Sequence, residues 1–171
     1  MHESTPTHWD ADGNLEVLTF NLDEETFAME AVLVQEIVDL LPETIVPGAS
    51  PLVGSVVNFR GKIIPIADLR LAFGMPQAEP TVDSRIVVIE MDIHGEPTAI
   101  GIRTDKVHEV ATLTRDHAEE PPAVGMRWKR DFVRELVRAQ DGIIVLPDLP
   151  SIFRSLSAAD DHAGAPASTI H

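Results

Sequence analysis

The sequence predicts a mainly β protein built as two similar small barrels packed side by side, with short helices. Three observations carry this expectation: an internal repeat, period-two alternation of apolar residues, and turn signals at matching positions of the repeat. A constant shift lays Ile63-Ile64-Pro65-Ile66-Ala67-Asp68-Leu69 over Ile143-Ile144-Val145-Leu146-Pro147-Asp148-Leu149, with Phe73 over Phe153. A looser match places Val34-Gln35-Glu36-Ile37 over Val107-His108-Glu109-Val110, so the order of features is the same in both halves.

Taken in order, residues 1 to 14 form a polar N-terminal segment ahead of the first strand. Leu18, Phe20 and Leu22 then alternate with polar residues, and Asp23-Glu24-Glu25 turns the chain back toward Phe27. Leu33, Val34, Ile37, Val38 and Leu41 follow a helical period that is ambiguous with strand, and Ala31 to Leu41 reads as a short helical turn entering a strand. Gly61-Lys62 and Asp141-Gly142 occupy equivalent repeat positions and fit type II′ and I′ hairpin turns. Pro65 cannot donate to a ladder, which assigns it to an edge or a bulge. Leu69 to Phe73 and Leu149 to Leu156 suit short helices closing each lobe. The lobe junction is expected near 74–84, where Pro76 and Pro80 mark a linker. Arg85 to Met91, rich in β-branched residues, and Thr98 to Ile102 flank a turn containing Gly95. Ser157 to His171, small and polar, reads as a disordered tail. Small antiparallel sheets avoid open edges by curling into barrels, which favours the two-barrel architecture.

Bulk composition narrows the function. At 171 residues and 44% hydrophobic, the chain has the length and apolar content for one domain or two lobes sharing a core. No stretch approaches the run of about 20 apolar residues that spans a bilayer, and the polar, acidic start is unlike a signal peptide, so a cytoplasmic protein without direct membrane insertion is expected. The absence of cysteine fits that compartment and removes thiol chemistry. Lys plus Arg number 13 against 28 for Asp plus Glu, a formal charge of −15, which repels nucleic acid and anionic lipid alike. Within this acidic chain Arg127, Lys129, Arg130, Arg134 and Arg138 gather, reading either as a basic face for an acidic partner or as a solvated run balancing nearby acids.

No catalytic constellation is legible. The seven histidines are scattered without helical pairing, giving no metal-ligand spacing. Gly54 to Lys62 is unlike a phosphate-binding loop, because its glycines are too widely spaced and Ile63 stands where Ser or Thr is required. Glu119-Glu120 and Asp160-Asp161 have no apolar setting that would raise a carboxyl pKa. An enzyme, a metal and a cofactor are therefore not expected.

The two copies differ at one informative position. Arg60 stands at the first hairpin, before the expected turn, where the second copy has Gln140. A guanidinium near a hairpin tip suits directional recognition of a carboxylate or carbonyl on a partner, and an intramolecular pair with Glu36 is the structural alternative; both can hold together.

Val34-Gln35-Glu36-Ile37, Val46-Pro47 and the run Val56-Val57-Asn58-Phe59-Arg60-Gly61-Lys62-Ile63-Ile64-Pro65-Ile66-Ala67-Asp68-Leu69-Arg70 together closely resemble the signature of CheW-like domains. The resemblance extends more weakly through Ser84 to Leu113 and Phe132 to Phe153, covering most of residues 15 to 156. It implies two SH3-like five-stranded β-barrel lobes without catalytic activity or cofactor. It also implies an adaptor that binds the regulatory domain of a CheA-type histidine kinase and the cytoplasmic tip of methyl-accepting chemoreceptors, recruited with them to membrane-associated arrays. Carried over by position, Glu36 and Arg60 match the family's charged pair, in the hairpin that includes Asn58 and Gly61. Val34 matches a kinase-contact position, and Ile86 falls near the inter-lobe groove used by the receptor. Ser55, Thr104, Glu135 and Pro147 depart from the usual pattern and make the second lobe the more divergent. An auxiliary adaptor of a pilus, gliding or other sensory array is the alternative within the same fold. A small-molecule-binding or catalytic barrel, with Trp128 or the acidic residues lining a pocket, is the alternative outside that biology.

Overall fold

A computed structural model describes residues 6–123, 129–140 and 142–155. The first hairpin pairs β1 (Asn14–Leu22) with β2 (Glu25–Glu30) around Asp23, whose φ is 55°. The helical turn foreseen at Ala31 is a single 3₁₀ turn, Ala31–Leu33, running directly into β3 (Val34–Asp39). There follow β4 (Thr44–Ile45), β5 (Ser55–Phe59), β6 (Lys62–Ala67) and the short helix α1 (Leu69–Ala72). The second half begins with the hairpin β7 (Arg85–Ile93) and β8 (Glu96–Thr104), turned by His94 and Gly95 at φ 54° and 81°. It continues through β9 (Lys106–Thr114), β10 (Ala118–Glu119), β11 (Val133–Ala139) and β12 (Gly142–Pro147), and residues 149–155 are helical.

These strands form two sheets of six, ordered β10-β11-β12-β2-β1-β9 and β4-β5-β6-β8-β7-β3. The resemblance implied five strands in each lobe; the sixth is the two-residue edge strand, β10 or β4. Strand for strand the two orders match, so β1 to β6 form one repeat unit and β7 to β12 the other. Each unit places its opening hairpin in the other unit's sheet. Lobe A is thus β1, β2 and β9 to β12, and lobe B is β3 to β8. The chain crosses between lobes after Glu30 and near Asp105. The segment 74–84, expected as the lobe junction, instead links β6 and β7 within lobe B, because proline and glycine mark a loop without saying which sheet its ends join.

Each lobe has its own apolar filling, and a third core lies between them. Lobe A closes on Leu15, Val17, Ala28, Leu113, Val137 and Leu146, drawn from five strands. Lobe B closes on Val57, Ile64, Ile66, Ile86 and Val88. Gly101 serves that filling, because a Cβ there would lie 2.5 Å from Ile66 Cδ1 and 2.9 Å from Ile86 Cγ2. Alternate residues of the same strands, including Leu18, Phe20, Leu22, Val87, Ile89 and Met91, face the inter-lobe core. There Phe27 of lobe A meets Phe73 of lobe B with ring centroids 5.0 Å apart and stacks on Phe20 at 5.8 Å. Strands buried on both faces read as near-continuous apolar runs, as Ile86 to Ile89 does.

Polar groups seal the same boundary. Asp68 and Asp148, equivalent in the repeat, each turn a strand into a helix by accepting a backbone N–H, from Arg70 and Ser151, both at 3.1 Å. Arg70, only 6% exposed, reaches from α1 to Asp23 in lobe A at 2.7 Å, to Asp105 at the second crossing, and to the Pro76 carbonyl at 3.1 Å. Burial alone would lower the pKa of its guanidinium, but the hydrogen bonds and charges of Asp23 and Asp105 outweigh that and raise it. Arg134 of β11 holds the first crossing through Glu30 at 2.7 Å.

Pro65 lies in β6, an internal strand, where β6 is still an edge toward β8: that parallel pairing begins only at Ile66. A missing N–H there interrupts no ladder on that side.

Candidate functional site

The first hairpin tip is built from local rules. Phe59 pairs with Lys62, which leaves Arg60 and Gly61 as the two turn residues. Their φ values, 53° and 79°, make the turn type I′. The sequence reading had placed a II′ turn on Gly61 and Lys62 with Arg60 before it; the turn is one residue earlier. The Asn58 carboxamide oxygen explains the shift, accepting the Gly61 N–H at 2.9 Å and so holding Arg60 in a left-handed conformation that a non-glycine residue rarely adopts. In the second copy Ala139 pairs with Gly142 and Gln140 begins the turn between them; the Asp141 of the expected turn lies outside the described residues.

Arg60 is positioned from three sides. The left-handed turn aims its side chain, the Phe59 ring lies 5.1 Å beneath its guanidinium, and Glu36 on β3 receives one of its N–H groups in an ion pair. Even so, 71% of the Arg60 side chain is exposed, against 30% for Glu36. The pair therefore holds the guanidinium in place and leaves it open to a visitor. The second carboxylate oxygen of Glu36 is buried without a hydrogen-bond partner, so Glu36 is committed to this one contact. A β-bulge between Val34 and Glu36 in the pairing with β7 re-aims the strand at this point. Ile63, directly across from Asn58 and exposed, adds an apolar neighbour.

Of the six residues singled out in the sequence, Glu36, Asn58, Arg60 and Gly61 thus meet at one tip. Val34 lies on the same strand but is half-buried against the inter-lobe core. Ile86 is a correction: it is 0% exposed inside lobe B's filling, beneath Gly101, and offers no surface to a partner. The basic run also resolves differently from a single face. Arg134 is buried against Glu30, Arg138 pairs with Glu119 at 3.3 Å, and Lys129 sits 5.1 Å over the Phe132 ring, while Arg127 and Trp128 lie outside the described residues. The tail from 157 onward lies outside them as well.

Sequence reasoning missed two features. Phe59 gave no signal beyond being aromatic in a strand. The second feature is an inter-lobe groove of ≈ 350 Å³ at the first crossing, lined by Met29, Val32, Leu33, Met91, Leu146 and Leu149, among others. The structure marks it by Val32, an apolar residue that is 79% exposed. Among the described residues no three His, Cys, Asp or Glu side chains converge as metal ligands, and no helix is long and apolar enough to cross a membrane.

Comparison with known proteins agrees with this geometry. The family model described as the CheW-like domain matches residues 16–157. The chain is 29% identical over 143 residues to the chemotaxis protein CheW of Rhizobium meliloti, covering 84% of this chain and 90% of that one. It is 26% identical over 152 residues to the chemotaxis protein CheW of Bacillus subtilis, covering 86% and 94%. Among solved structures, the scaffolding protein TtCheW from Thermoanaerobacter tengcongensis superposes with a TM-score of 0.71 at 31% identity, over 81% of this chain and 92% of that one.

Proposed function

Because this chain belongs to the CheW-like domain family, we propose that it is a non-enzymatic chemotaxis adaptor coupling methyl-accepting receptors to a CheA-type histidine kinase. The observation that carries the reading is the hairpin tip: a guanidinium fixed by Glu36, Phe59 and Asn58 and still mostly exposed. Ordering a long side chain costs conformational entropy, and here that cost is met inside the free protein. The tip and the flank of β3 beside Val34 dock the kinase regulatory domain, where the Arg60 fork suits a carboxylate or carbonyl. The inter-lobe groove takes an apolar segment of the receptor's cytoplasmic tip. Two surfaces on one chain raise the effective concentration of each partner for the other, which is what a coupling protein requires. The adaptor works in the cytoplasm and reaches membrane-associated arrays by holding the receptor.

The test is capture of a cognate kinase regulatory domain by wild type, Arg60→Glu, Glu36→Arg and the double variant. Arg60→Glu is expected to weaken capture at least about tenfold, or about 1.4 kcal/mol. The double variant restores an internal pair but reverses the charge at the tip, so it stays defective if the tip docks the kinase. Recovery in the double variant would show that only the internal pair matters, and failure of wild type to bind either partner would refute the adaptor reading.

A further inference from the structure

The N-terminal segment precedes the residues matched by the family model, yet it is built onto the fold. Asp10 ties it to β1: its N–H donates to the Asn14 carbonyl at 2.9 Å, and its carboxylate accepts the N–H groups of Asp12 and Asn14, each at 2.9 Å. Two residues then fix it to lobe A. The Thr7 hydroxyl donates to the Glu135 carboxylate on β11 at 2.8 Å, and Trp9 packs against the lobe A filling. Between them, His8 lies on the other side of the segment and lines the inter-lobe groove.

We propose that residues 6–10 form a strap that holds His8 in the wall of this groove, and that His8 is a specificity-determining residue for the apolar segment the groove takes. The inference rests on the reading that the groove receives the receptor tip. The strap is no plug: with Thr7 and Trp9 seated, the groove keeps its ≈ 350 Å³ and Val32 remains 79% exposed at its mouth. That volume is at the lower end of the range for a binding cleft and suits one or two apolar side chains. Most of its lining is apolar; the charged Glu30 and Arg134 pair with each other, and Asp92 adds a further carboxylate. His8 adds an imidazole, able to donate or accept, to a lining whose other polar side chains, Glu30, Asp92 and Arg134, are charged. The groove fits a segment that inserts an apolar side chain and carries a hydrogen-bonding group where it passes the strap.

Calorimetric titration of a receptor-tip fragment, and separately of a kinase regulatory domain, into the full chain tests this. The variants are His8→Ala, Trp9→Ala, which frees the strap, and Val32→Glu, which charges the groove. His8→Ala and Trp9→Ala are each expected to weaken the receptor fragment about fivefold, the scale of a contact at an interface rim, and to leave kinase binding within about twofold. Val32→Glu is expected to weaken the receptor fragment more than about tenfold. If Val32→Glu does so and His8→Ala does not, the strap inference fails while the groove reading stands. If Val32→Glu has no effect, the groove reading itself falls and takes the strap with it. Tighter receptor binding by either strap variant, or an equal loss for the kinase, also overturns the proposal.

Discussion

Replacing Arg70 by methionine isolates what the charged seal between the lobes contributes. In the native protein its guanidinium satisfies Asp23, Asp105 and the Pro76 carbonyl while only 6% of the side chain is exposed. Methionine fills most of that volume but leaves two carboxylates adjacent, since the Asp23 N–H still holds Asp105 at 2.6 Å. Removing one partner of a fully buried pair costs about 3–5 kcal/mol. Asp23 and Asp105 are 43% and 34% exposed, so water recovers part of this and the expected loss is about 2–3 kcal/mol. For a chain of this length that corresponds to about 5–10 °C in Tm. Urea titration followed by circular dichroism measures it, with Arg70→Lys as the control that keeps the charge and loses the fork. The raised pKa of Arg70 fixes the pH dependence: its contribution is complete below the ordinary arginine value and is lost only as pH climbs through the folded one. The difference between wild type and variant is therefore constant from pH 7 to pH 10. A loss under about 0.5 kcal/mol, or a difference that fades across that window, would refute the reasoning.

Three further outcomes follow from the geometry. Arg60→Gly removes a left-handed strain of about 1 kcal/mol and an exposed ion pair contributing about 0–1 kcal/mol, so Tm is expected to hold or rise while kinase capture is lost. Gly101→Ala forces a methyl into Ile66 and Ile86 and is expected to cost about 1–3 kcal/mol in denaturant unfolding, with Ile66→Val in the same chain recovering part of it. Phe27→Ala opens the aromatic contact between the lobes and is expected to cost about 3–5 kcal/mol, read by calorimetry as one lowered transition and not as two separated ones, because both lobes share that core.

Much of this architecture was legible in residue order alone. Alternation gave β1, the acidic turn at Asp23 gave the first hairpin, and the ambiguous stretch after Ala31 reads as helical for one turn and extended thereafter because Val34 to Asp39 pairs with β7. What stayed hidden depends on partners distant in sequence. A repeat shows that two units are alike, but not that β1 and β2 leave one sheet for the other. Ile86 looks like any strand residue, and only the closing of lobe B over Gly101 buries it. The charged tip was visible because Arg60 differs in kind from Gln140, its counterpart in the second copy, while Glu36 is matched by Glu109. The groove was invisible because residues as far apart as His8, Met91 and Leu149 line it.

The exchanged hairpins carry a consequence for how such a molecule diversifies. Two separate copies of one repeat unit, each lending its opening hairpin to the other, would form a symmetric homodimer in which every substitution appears twice. Joined in one polypeptide, the halves still depend on each other to stand, but each now mutates alone. Arginine occupies one tip and glutamine the other, so a covalent connection lets equivalent ends of one body address different molecules.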